Sequence, residues 1–193
     1  MTAMTPERTS ARERLLTAAS ELFYEEGVHS VGIDRVIERA GVAKATLYSA
    51  FGSKDELIRA YLMRRHLAWR EHLARELARY PTPRERLLGV FDVIGETFTV
   101  PGYRGCAYVN ARAESRPGSP VEEVSDLARG WLRAQFAELA REAGVAGPGP
   151  LAGQLALLYH GAVNVAAMDR DPAAAALARG IAATLLDAAA TPG

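Results

Sequence analysis

Within eleven residues the chain sets out Lys44, Thr46, Tyr48, Ser49 and Lys54, in the stretch "AGVAKATLYSAFGSKDEL" from Ala40 to Leu57. Two ammonium groups and three hydroxyls so closely spaced suit one kind of work, hydrogen bonding to anionic oxygens and to polar edges at a surface. Lysine donates to phosphate and to guanine O6 and N7, while hydroxyls bond phosphate. Ser30, a short way upstream, offers a further hydroxyl. Nothing in the stretch pairs a nucleophile with a base.

These groups need an element to carry them. The run 34–51 contains two short helical patterns, Asp34 to Ala40 and Lys44 to Phe51, broken by Gly41. Neither is long enough to be stable alone. The preceding "SARERLLTAASELFYEEG" repeats Leu15, Leu16, Ala19, Leu22 and Phe23 at helical spacing, with a Ser10/Glu13 cap and Gly27 to close it. It can clamp the pair through a core of Val36, Ile37, Ala40, Val42, Leu47 and Phe51. Helix, glycine turn and second helix form a helix-turn-helix pattern, whose second helix enters the major groove. The spacing alone also fits an ordinary pair of core helices.

Further motifs make the pattern more specific. "LLTAASELF" with Gly27, "VIERAGV" at 36–42 and "TLYSAFGSKDEL" at 46–57 resemble the DNA-binding domain of the tetracycline-repressor (TetR) family of transcriptional regulators. The signature spacing falls on Tyr48, Phe51, Lys54, Asp55, Glu56 and Leu57. The resemblance implies DNA contacts from Ser30, Lys44, Ala45, Thr46, Tyr48, Ser49 and Lys54. It also implies a double-stranded operator, palindromic to match a two-fold dimer. Ala43 and Gly32 stand where relatives usually carry a Ser or Thr cap, and Ala50 where many carry a polar residue. Fewer phosphate contacts and a shallow salt dependence are expected from these departures.

Charge adds little. The 193 residues balance 23 Lys and Arg against 23 Asp and Glu. Between Ser30 and Lys54 four basic residues face two acidic ones, so any attraction to nucleic acid is local.

The composition, rich in Leu, Ala and Arg, predicts an all-α fold of about nine helices. The expected division is a helix-turn-helix domain over 1–52 and a ligand-binding and dimerisation domain over 53–193. The fourth helix is expected to run to "PTP" at 81–83, and "VEEVSDLARGWLRAQFAELAREAG" to bury Val121, Val124, Leu127, Ala128, Trp131, Gln135 and Leu139. Phe91, Ile94, Phe98, Tyr108, Trp131 and Tyr159, with Asn110, Gln135, His160 and Asn164, can line a pocket or fill a core. The resemblance favours the pocket, for a small and largely apolar effector. It also implies a homodimer through the last two helices, with Gly161, Leu177, Ile181 and Leu185 at the seam; a hairpin buried in a monomer is the other reading.

No P-loop, G-x-S-x-G, H-E-x-x-H or dinucleotide fingerprint is present, and the four histidines lack paired-ligand spacing. The expectation is therefore no enzyme, no cofactor and no metal. Cys106 is the single cysteine, a small hydrophobe or a thiol sensor. No signal-peptide core and no apolar run near the ~20 residues of a membrane span are read, so a cytoplasmic protein without membrane contact is expected. The leading reading is a ligand-responsive repressor. A helical interaction module that has lost DNA binding, and an enzyme using the C-terminal cavity, stand as alternatives.

Overall fold

The computed structural model describes residues 10–190, and over these the chain is all-helical. In order run α1 (Ala11–Glu26), α2 (Ile33–Ala40), α3 (Lys44–Phe51), α4 (Lys54–Leu77), α5 (Pro83–Phe98), α6 (Ala107–Ala113), α7 (Pro120–Glu142), α8 (Gly149–Met168) and α9 (Ala174–Ala190). Among the described residues there is no strand, and the nine helices match the expected all-α fold.

Two compact units divide the chain. The first takes in 10–64 and Tyr108–Val124, and the second Arg65–Ala107 and 125–190, so the division falls inside α4 and inside α7. In the first unit α1 packs on α2 and α3. Leu15, Ala19, Val31, Val36 and Leu47 lose all contact with solvent, whereas Ile37 and Val42 are only half-buried. In the second unit α9 packs on α8 and α5, around Phe91, Phe136, Leu155 and Leu186.

Capping explains several boundaries. The Ser10 hydroxyl accepts from Glu13 N–H at 3.1 Å, and Ser53 from Glu56 N–H at 3.1 Å. Thr82 and Glu85 complete a reciprocal capping box at α5. The fourth helix ends at Leu77, three residues before the expected Tyr80. There Arg79 N–H and Tyr80 N–H bond carbonyls three residues back, at 3.1 Å each, tightening the chain out of the α-helix.

Two further expectations are corrected. The inward face of α7 is Val121, Val124, Leu132, Phe136, Leu139 and Ala140, while Leu127 is 48% exposed and Trp131 half-buried. The helix is thus turned by about one residue from the expected register. The reading that no apolar run approaches membrane-spanning length also fails for α8, which by length and composition can cross a bilayer. Leu151, Leu155, Tyr159 and Val163 on α8 are nevertheless buried in the core of the second unit.

Candidate nucleic-acid interface

Gly41 makes the turn between α2 and α3. It takes φ 62° and ψ 46°, the left-handed conformation that glycine accepts without a Cβ penalty. Its N–H donates to the Glu38 carbonyl at 3.1 Å and Val42 N–H donates to the Ile37 carbonyl at 3.2 Å, the paired bonds of a Schellman termination. Arg14 of α1 donates from Nε to the Ala40 carbonyl at 3.1 Å, fixing the same corner from below.

Helix α3 is two-faced. Leu47 and Phe51, four residues apart, are buried. Phe51 also lies under the Arg12 guanidinium, 4.8 Å from the ring centroid. Lys44, Ala45, Tyr48 and Ser49 occupy the opposite, exposed face, with Tyr48 46% exposed and Thr46 half-buried at its edge. Ser30 is exposed in the turn before α2. Gly32 and Ala43 are the N-caps of α2 and α3, and neither makes a side-chain cap, as the sequence implied.

Most of the local basic charge is already engaged. Arg35 pairs with Glu26 at 2.9 Å, Arg39 with Glu21 at 3.3 Å, and Lys44 with Asp34 at 2.9 Å. The hydrogen bond that Lys44 donates to Asp34 raises the Lys44 pKa above the ordinary lysine value. Lys54, half-buried in the first turn of α4, is shifted the other way by desolvation.

One residue of this unit escaped the sequence reading. Glu114, beyond the end of α6, accepts the His29 N–H at 2.8 Å, and its carbonyl meets the His29 ring nitrogen Nε2. A Cβ on Gly27 would come to 3.2 Å from the Glu114 carboxylate. The turn between α1 and α2 is therefore held by a residue 85 positions away, a pairing that no local spacing announces.

The residues read as pocket or core are distributed unevenly. Phe91 stacks on Phe136 at 5.7 Å between centroids, and Phe136 meets Tyr159 edge-on at 6.4 Å. Ile94 and Phe98 are buried in the same cluster, and His160 packs edge-on against Tyr159. Trp131 and Gln135 are half-buried, and Asn164 is exposed. Tyr108 and Asn110 belong to the first unit, where the Tyr108 hydroxyl donates to the Leu62 carbonyl at 3.3 Å and Asn110 is exposed. Trp131 instead receives the edge of His66, 5.4 Å away, and the Arg70 guanidinium at 5.6 Å. His66 is 2% exposed with Nε2 unpartnered, and burial, with Arg70 second, lowers its pKa.

Residues 15–61, which build this two-faced α3 and its clamp, match the family model for bacterial regulatory proteins of the tetR family. A solved TetR-family transcriptional regulator from Streptomyces coelicolor is 33% identical, with a TM-score of 0.86 over 94% of this chain and 96% of that one. The chain belongs to the TetR family. A second TetR-type structure, from Streptomyces avermitilis, is 35% identical with a TM-score of 0.83, over 95% of this chain and all of its own. The transcriptional activator FasR of Mycolicibacterium smegmatis is 49% identical over 57 residues, 30% of this chain and 26% of FasR. For a TetR regulator the α2–α3 pair is the helix-turn-helix, and the chain is a DNA-binding transcriptional regulator.

Proposed function

We propose that this TetR regulator is a homodimeric, effector-responsive, cytoplasmic repressor of a palindromic operator, without enzymatic activity. The observation that carries the reading is α3 itself, with Lys44, Ala45, Tyr48 and Ser49 outward over the buried Leu47 and Phe51. An eight-residue helix packed on α1 and α2 has no other evident use for such a polar face. Ser30, Thr46 and Lys54 complete the proposed set, Lys54 with the help of the amide donors at the start of α4. In this reading the DNA reader ends at 52/53 and the part that receives the effector begins there, although the compact units themselves divide inside α4.

Dimerisation is supported by apolar surface on α8 and α9. Leu157 is 74% exposed, Met168 83%, Leu177 69% and Ile181 42%, with Gly161 also exposed and Leu185 half-buried. Large apolar residues left exposed at helical spacing on two helices suit an interaction surface. A two-fold pair would present its recognition helices to half-sites about one DNA turn apart.

Selection of bound duplexes from random DNA, at stated salt, tests the reading. A palindrome is expected, with Tyr48→Phe plus Lys54→Ala weakening binding to all sequences alike. The salt slope should be shallow, since each phosphate contact adds about 0.9 to it and Gly32, Ala43 and Ala50 forgo the contacts that polar residues would make there. Indifference of the double variant would leave a helical interaction module instead. A reporter driven from the selected operator separates repression from activation.

A further inference from the structure

The second unit contains an open cleft of about 540 Å³ between the α5–α6 connection and the end of α8. That lies within the usual size of small-molecule sites, about 300–1,000 Å³. Phe98 and Ala166 are its buried members, Tyr103 is half-buried, and Arg104, Val100 and Arg170 are exposed at its margin. Of these, only Phe98 was among the pocket residues read from the sequence.

The apolar side of the cleft is fixed. The Tyr103 ring lies 5.2 Å from Phe98, and its hydroxyl donates to the Val163 carbonyl of α8 at 3.3 Å. Behind it Gly105 has φ 77°, and a Cβ there would come within 2.9 Å of Ala167. The connection is pressed directly onto α8.

Arg170 is unusual in its backbone. Among the described residues it is the only non-glycine with positive φ, at 55°. Glycine would make this turn without strain, so the conformation gives no reason for a long side chain. What arginine adds is a cationic side chain on a residue that lines the cleft. Arg170 makes no ion pair among the described residues, and no Asp or Glu lines the cleft. The neighbouring Asp171 accepts the Ala173 N–H at 2.9 Å.

We propose that this cleft binds a small organic acid. Arg104 and Arg170 take its carboxylate, and Phe98, Tyr103 and Ala166 receive a flat apolar body. Guanidinium groups match a carboxylate in shape as well as charge. The inference rests on the effector reading only for its consequence at the operator. It replaces the largely apolar effector expected from the sequence by an amphiphilic, anionic one.

The probe is 2-naphthoate, compared with the neutral 2-naphthalenemethanol, titrated into the full chain by calorimetry. The acid should bind at least ten-fold more tightly than the alcohol, and less tightly as salt is added. Arg104→Ala and Arg170→Gly should each lose about ten-fold or more. Arg170→Gly is the decisive variant, because glycine accepts φ 55° and the thermal midpoint should hold or rise. Equal affinity for acid and alcohol, no saturable naphthoate binding, or full affinity in both variants overturns the proposal. If naphthoate binds as expected while operator affinity stays unchanged, the cleft assignment stands and its role as the effector site falls. If instead a neutral compound releases the operator and naphthoate does not bind, the effector reading survives without this cleft.

Discussion

A serine at position 43 should stabilise α3 by an amount the neighbouring helices allow to be worked out. Ala43 sits at φ −75° and ψ 150°. Ser10, at −60° and 153°, and Thr82, at −111° and 153°, both accept the N–H three residues on, at 3.1 and 3.2 Å. The Ala43 backbone lies between these two capping conformations, so a hydroxyl placed there needs no rearrangement to reach the first turn. A cap is worth about 0.5–2 kcal/mol. The lower half applies, because the Thr46 N–H already donates to the Ala43 carbonyl at 3.0 Å and the hydroxyl must share it or take the Ala45 N–H.

Ala43→Ser should therefore add about 0.5–1 kcal/mol, raising a thermal midpoint by roughly 1–4 °C. Amide exchange in α3 reads the effect locally and should slow about two- to five-fold if opening follows helix stability. Ala43→Asp provides the same cap plus a favourable charge at a helix N-terminus, yet adds an anion to the proposed DNA face. The two variants should both stabilise and move operator affinity in opposite directions, most at low salt. Unchanged exchange in Ala43→Ser would refute the capping argument. A gain in affinity with aspartate would refute the placement of α3 against DNA.

Other substitutions test the second unit. Gly89→Ala places a Cβ 2.7 Å from the Tyr80 ring, whose hydroxyl is tied to Asp92, and should cost about 1–3 kcal/mol in chemical denaturation. Gly130→Ala, with nothing within 4 Å, should be neutral or stabilising, and equal losses at the two sites would dismiss the steric account. Burial, with Arg70 second, lowers the His66 pKa, and burial, with Arg129 second, does the same for His160. Unfolded histidine then binds more protons than folded, so stability is complete above about pH 6.5 and falls as pH drops from there toward the folded pKa. His66→Leu should flatten the midpoint between pH 5 and 7, and an unaltered slope would remove His66 from the account. Leu177→Glu with Ile181→Glu should halve the mass seen by sedimentation at micromolar concentration, and an unchanged mass would place the dimer seam elsewhere or nowhere.

What was legible in the sequence was what local physics decides. The limits of α3 followed from the Lys44–Phe51 pattern and from the break at Gly41, which takes φ 62°; Gly52, which closes the helix at φ 79°, was not singled out. The register of α7 was not legible, because Leu127 and Trp131 offer as good an apolar phase as Leu132 and Phe136. Only the partners choose: Phe136 finds Phe91 and Tyr159, whereas Trp131 finds His66 and Arg70. The cleft was beyond reach for a related reason. Arg104 and Arg170 are far apart in sequence, and each sits in a segment that reads only as a loop. Glu114 against His29 is the same case, a contact made by tertiary placement of residues with no shared pattern.

In the first unit Arg35 and Arg39 meet carboxylates on α1, Arg14 meets the end of α2, and Arg12 covers Phe51. Arg14 and Arg12, tied to a backbone carbonyl and to a buried ring, hold the helix-turn-helix, while the Arg35 and Arg39 pairs are exposed. Lys44 pairs with Asp34 of α2, and the two side chains stay 56% and 79% exposed. Such pairs contribute little to stability and are readily exchanged. On the proposed reading, DNA approaching α3 trades Asp34 for a phosphate or a guanine at Lys44 with small cost to the fold, while Tyr48 and Ser49 supply neutral hydroxyls. On that reading affinity would depend on how well a dimer spaced its two α3 helices more than on bulk charge, and that spacing is what an effector would change.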